Sequence, residues 1–132
     1  MSRVRLVRSA ELADRAPYAY ASVAEAGQLV FTAGACPLDP AGNTVGVGDI
    51  AAQAEQVMQN LRTALRAAGA DLEDVLRTTV YVATTSQDDL VTVWEVVHRH
   101  FGDHDAPSTL LGVTVLGYDD QLVEVEAVAL VP

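Results

Sequence analysis

Residues 49–83 read DIAAQAEQVMQNLRTALRAAGADLEDVLRTTVYVA, a helical period followed by a strand period. Ile50, Ala54, Val57, Met58, Leu61, Leu65 and Ala68 recur at the spacing that lines one face of an α-helix, while Gln53, Gln56, Asn60 and Arg66 fall on the other. Asp49 is placed to cap the start and Gly69 to stop the end, which predicts a helix of about twenty residues. The pattern then changes, because Leu76 to Ala83 is rich in the β-branched and aromatic residues that favour strands. Downstream, Ser86 to Asp89 supplies cap chemistry, and Leu90, Val93, Trp94, Val97 and Phe101 mark a second amphipathic helix ending at Gly102. Two further strands follow, Thr109 to Leu116 and Leu122 to Val131, joined by the turn Gly117-Tyr118-Asp119-Asp120. Upstream, an extended segment from Tyr18 to Val23, a turn at Gly27 and a strand from Gln28 to Ala35 predict a hairpin, and Val4 to Val7 offers one more strand. The order is β, β, α, β, α, β, β. It implies one domain over residues 1–132, an α+β two-layer sandwich whose mostly antiparallel sheet carries both helices on one face. The other sheet face then needs cover, which self-association supplies.

Half of the 132 residues are apolar and a fifth are charged, which excludes intrinsic disorder. Only 5% are aromatic; 21 alanines and 20 valines fill the gap, so the core is built from small and β-branched side chains. All eight basic residues are arginine, which excludes a Schiff-base lysine and a phosphate-loop lysine. Residues 1–15 carry four arginines against two acids, the remainder four against sixteen, for a net charge of −10. Such a surface repels a nucleic-acid backbone and an anionic membrane, so neither is an expected partner. A lone Cys36 leaves no intrachain disulfide to form, and no apolar run matches a signal peptide or a membrane span; the expected location is cytoplasmic.

Glu124 and Glu126 sit two apart in a strand of valines, so both carboxylates share one face and need a partner or a cavity. They are read either as carboxylates that pair with arginines or lie at a wet subunit interface, or as a catalytic acid/base. His98 and His100 point to different sides of their helix and are not read as metal ligands together with His104. Cys36 is read as a small packed side chain. Trp94 is read as core or as a pocket wall. There is no Gly-x-Gly-x-x-Gly and no phosphate loop, so no nucleotide cofactor is indicated.

Five blocks, in order and in register, are similar to the Rid family, also called YjgF and often labelled L-PSP endoribonuclease. They are Ala16-Pro17-Tyr18, Leu29-Val30-Phe31-Thr32-Ala33-Gly34, Asp49-Ile50-Ala51-Ala52-Gln53-Ala54, Thr78-Thr79-Val80-Tyr81-Val82 and Val123-Glu124-Val125-Glu126-Ala127-Val128-Ala129. The resemblance implies a chorismate-mutase-like fold, a homotrimer with ligand clefts between subunits, and hydrolysis of enamines and imines to a 2-keto acid and ammonia without metal or cofactor. It implies Tyr18 and Gly34 as binding positions and Glu124 as the catalytic glutamate. The family's arginine, which clamps the substrate carboxylate, falls on Thr109; its frequent cysteine falls on Leu111, its helix asparagine on Trp94 and a polar strand position on Ala33.

A threonine hydroxyl supplies neither the charge nor the two-pronged geometry of an arginine. The expectation is a trimer that binds a small neutral or apolar metabolite at Tyr18, Ala33, Gly34, Trp94, Thr109 and Leu111, with any chemistry carried by Glu124. An imine deaminase with a substitute arginine, and a ligand-binding trimer without catalysis, remain the alternatives.

Overall fold

The computed structural model describes residues 3–131; of the expected 1–132 unit, residues 1, 2 and 132 lie outside the described residues. Six strands and two helices run in the order β1 (Val4–Val7), β2 (Ala21–Ala24), β3 (Gln28–Phe31), α1 (Ile50–Ala67), β4 (Val75–Ala83), α2 (Gln87–Phe101), β5 (Ser108–Val113) and β6 (Val123–Val131). A short 3-10 turn at Leu72–Asp74 leads into β4.

Helix α1 starts where Asp49 Oδ1 accepts from the Ala52 amide at 3.0 Å. It stops where Gly69, at φ +90°, lets the Ala70 amide reach back to the Leu65 carbonyl at 2.9 Å. Its apolar stripe, with α2's Val93, Val96 and Val97, packs on the alternate residues Val123, Val125, Ala127 and Ala129 of β6 and on Val80 and Val82 of β4. The core is therefore built of valine, leucine and alanine around Met58. Both helices lie on one face of a four-stranded sheet of order β3-β6-β4-β5, an α+β two-layer arrangement. Within it β4 pairs antiparallel with β6 and parallel with β5, and α2 forms the crossover between the two parallel strands.

Four sequence expectations change. Strand β5, expected over Thr109 to Leu116, ends at Val113. The hairpin of the Tyr18–Val23 segment with the next strand does not form: β2 pairs with β1, Val4 facing Ala24, and β3 pairs with β6 instead. The strand expected to reach Ala35 ends at Phe31, because the ladder breaks after Thr32 and resumes only at an isolated Ala35–Val125 bridge. Gln53, placed by its period on the polar face of α1, is fully buried. Its amide donates to the Gly46 and Asp120 carbonyls at 3.2 and 2.8 Å, and its oxygen accepts from the Leu122 amide at 2.7 Å. A side chain with two donors and an acceptor satisfies three backbone groups of two loops, which is why a polar residue occupies a core position.

Candidate functional site

The sheet face away from the helices carries alternate residues of β6 and β4. Two rungs cross it. Glu124 on β6 faces Tyr81 on β4, which faces Leu111 on β5; Glu126 faces Thr79, which faces Thr109. Neighbouring strands are about 4.8 Å apart, so Glu124 and Leu111 are separated by roughly 10 Å of sheet.

Glu124 is half-buried beside the break in β3. Between the Thr32 amide bonded to the Ala127 carbonyl (3.0 Å) and the Ala35 amide bonded to the Val125 carbonyl (2.7 Å), Ala33 and Gly34 form no cross-strand hydrogen bond. The chain bulges there, and the glutamate side chain lies against Gly34. A β-carbon at that position would stand 2.7 Å from Glu124 Cγ and closer still to the carboxylate. Only glycine admits this approach. Oε1 accepts from Gln121 Nε2 at 3.1 Å and from the Cys36 thiol at 3.3 Å. Gln121 is itself buried and held by the Tyr118 amide, which donates to its oxygen at 3.1 Å. Burial, reinforced by the hydrogen bond to Glu124 and its charge, pushes the Cys36 thiol up to about 11.

Glu126 accepts a short hydrogen bond from the Tyr81 hydroxyl. This bond, with burial and the two glutamate charges, raises the Tyr81 phenol. The sequence pointed to arginine or interface partners for these carboxylates. Within the chain the partners are a phenol, a thiol and an amide.

The remaining positions gather at the β5 edge. Pro17, Tyr18, Trp94, Ser108, Thr109 and Leu110 line a cavity of about 450 Å³. Tyr18 and Trp94 meet edge to face, ring centres 6.1 Å apart, and Trp94 also stacks on His98 at 5.9 Å. His98 lies 3.1 Å from Asp105, which also takes Arg8 at 2.9 Å, so a residue of the N-terminal arginine group ties β1 to the loop behind this cavity. His100 faces Glu55 and His104 faces the Val75 carbonyl; the three histidines thus have three different partners. Ser108 accepts from the Thr78 hydroxyl at 2.7 Å, and the Trp94 indole nitrogen is buried without a hydrogen-bond partner among the described residues.

The expected site residues therefore fall into two groups on one chain. Ala33, Gly34 and Glu124 stand together at the β3 bulge, and Tyr18, Trp94 and Thr109 stand together at the β5 edge. Leu111 shares a strand with the second group without lining its cavity, and a rung with Glu124. Cys36, read from sequence as a small packed side chain, and Gln121, which its sequence context did not single out, belong to the first group. A glutamine three residues before a strand glutamate and a cysteine before a proline carry no signal of mutual contact.

A family model described as Endoribonuclease L-PSP matches residues 9–131. Protein DfrA of Myxococcus xanthus is 36% identical over 130 residues, covering 95% of this chain and 97% of that protein. The 2-iminobutanoate/2-iminopropanoate deaminase of Salmonella typhimurium is 31% identical over 112 residues, 83% of this chain and 85% of the enzyme. Among solved structures, the Rid-family protein YyfB of Yersinia pestis superposes with a TM-score of 0.91 at 29% identity, covering 97% and 98% of the two chains. A match over almost all described residues, with the same fold in a Rid-family relative, places the chain: it belongs to the Endoribonuclease L-PSP family, the Rid or YjgF proteins.

Proposed function

We propose that three copies of this chain assemble over the open sheet face, and that each cleft between neighbours joins the β5-edge group of one subunit to the β3-bulge group of the next. The observation that carries this reading is the separation of the two groups on a single chain, each incomplete alone. The β5-edge half supplies two aromatic walls and the hydroxyls of Tyr18, Ser108 and Thr109 without a cation, which suits a small neutral metabolite better than a carboxylate. The bulge half supplies a carboxylate with one oxygen held and the other free, suited to orienting water or taking a proton from an acidic C–H. A surface of net charge −10 without lysine argues against an RNA substrate, whatever the family's label.

Trp94 is the sole tryptophan, so its fluorescence reports on the cleft directly. Neutral carbonyl compounds should quench it at concentrations where 2-oxobutanoate does not. Equal or tighter binding of the keto acid would overturn the neutral-ligand reading. Mixed assemblies of Thr109→Phe and Glu124→Gln chains, which keep Trp94 as the sole tryptophan, should regain some ligand-responsive clefts that neither variant has alone.

Imine deamination is the second reading, favoured by the relatives that bear that name and by Arg77. This arginine on the open face lines a hollow of about 180 Å³ with Thr32, Thr79 and Glu126, and has no ion-pair partner among the described residues. It is the arginine best placed to replace the missing clamp. Rapid hydrolysis of 2-aminoacrylate released by a serine dehydratase, abolished by Arg77→Ala, would establish it.

A further inference from the structure

We propose that Cys36 is a positioning residue for Glu124, its thiol acting with the Gln121 amide to fix one carboxylate oxygen and leave the other free to react. The inference rests on Glu124 being the acting group of the proposed function.

Both donors address Oε1, Cys36 Sγ at 3.3 Å and Gln121 Nε2 at 3.1 Å. Oε2 lies on the Gly34 side and has no donor among the described residues. The thiol has one proton and a second acceptor in reach, the Gly34 carbonyl at 3.4 Å, but a charged carboxylate is the stronger acceptor. The cysteine is not free to follow the glutamate about. Its carbonyl accepts from Asn60 Nδ2 of α1 at 2.8 Å, and the neighbouring Ala35 is bonded to Val125 in both directions at 2.7 and 3.1 Å. The donor is thus built into the helix-to-sheet framework. At neutral pH the thiol remains S–H, because burial and the adjacent carboxylate disfavour the thiolate; it is a donor and a poor nucleophile.

A serine at position 36 would keep a donor, whereas an alanine would remove it, and these two variants separate positioning from packing. With glutamate carboxyls labelled with 13C, the Glu124 resonance at pH 7 should move in Cys36→Ala and return toward its original position in Cys36→Ser. The Glu126 resonance, governed by Tyr81, should stay in place throughout. Alkylation of the single thiol by iodoacetamide, followed against pH, should give a midpoint well above that of an ordinary cysteine in the native protein and a lower one in Glu124→Gln. An unmoved Glu124 resonance in Cys36→Ala, or the same thiol midpoint with and without the Glu124 charge, would overturn the proposal. Neither readout needs a substrate. Failure of the functional reading shows separately, as Glu124→Gln chains that still bind ligand unchanged.

Discussion

Glu124 and Glu126 are the same side chain on the same strand face, two positions apart, and their surroundings set them different tasks. Glu126 is tied to the Tyr81 phenol, and Glu124 is folded over a glycine with one oxygen held. Gly34 is therefore a residue whose size controls the carboxylate. Its φ is not in the left-handed region, so alanine fits the backbone and clashes with the Glu124 side chain alone. Gly34→Ala should swing Glu124 out, lowering stability by no more than about 1–3 kcal/mol. It should abolish ligand-induced Trp94 quenching as completely as Glu124→Gln does, with a thermal melt as the control. Cys36 adds a pH signature. Its folded-state pKa is raised from 9.0 to about 11, so the bound proton's contribution is intact below pH 9 and is lost as the pH climbs through 11. The urea midpoint should fall over that window in the native protein and stay flatter in Cys36→Ala. From sequence the cysteine reads as filler because its partner lies 88 positions away, and spacing rules act only between near neighbours.

Helices and strands were legible because each is written in a local period: α1 and α2 appear where the apolar stripe recurs, and β4 and β6 appear where alternation begins. Pairing was not. Chain proximity suggested β2 against β3, yet β3's apolar side chains are matched by β6, about a hundred residues on, and β1 takes β2. One polar position of α1, Gln53, departs from its period for a related reason. A period assigns Gln53 to a face but does not show that two loops bring backbone groups to it. Gln53→Met, close in volume, would strand the Leu122 amide and the Asp120 carbonyl, while the Gly46 carbonyl keeps the Asp49 amide as its donor. A loss on the order of 2 kcal/mol follows if each stranded group costs about 1 kcal/mol. For a chain of this length that is roughly 7 °C in Tm. A calorimetric scan unchanged from the native protein would show that water or loop movement replaces the glutamine.

At the scale of the whole molecule, the helices cover one sheet face and leave the other with exposed apolar side chains at its β3 edge, Phe31 at 72% and Leu29 at 55%. These residues give the proposed trimer a specific test. Light scattering should give about 42 kDa, three times the 14.0 kDa chain, and Phe31→Glu should shift it to the single-chain mass. A monomeric native protein would remove the shared cleft with it. The sheet order has one more consequence, for the way the chain comes into being. β6 sits between β3 and β4, yet it is the last of these strands to leave a ribosome. At about 5–20 residues per second, the 48 positions from the end of β4 to the end of β6 take roughly 2–10 s to emerge. Through that interval β3 has no partner and β4 shows an unpaired edge, the kind of surface that nascent-chain chaperones shield. Loss of the final strand would not narrow the sheet by one place; it would split it in two.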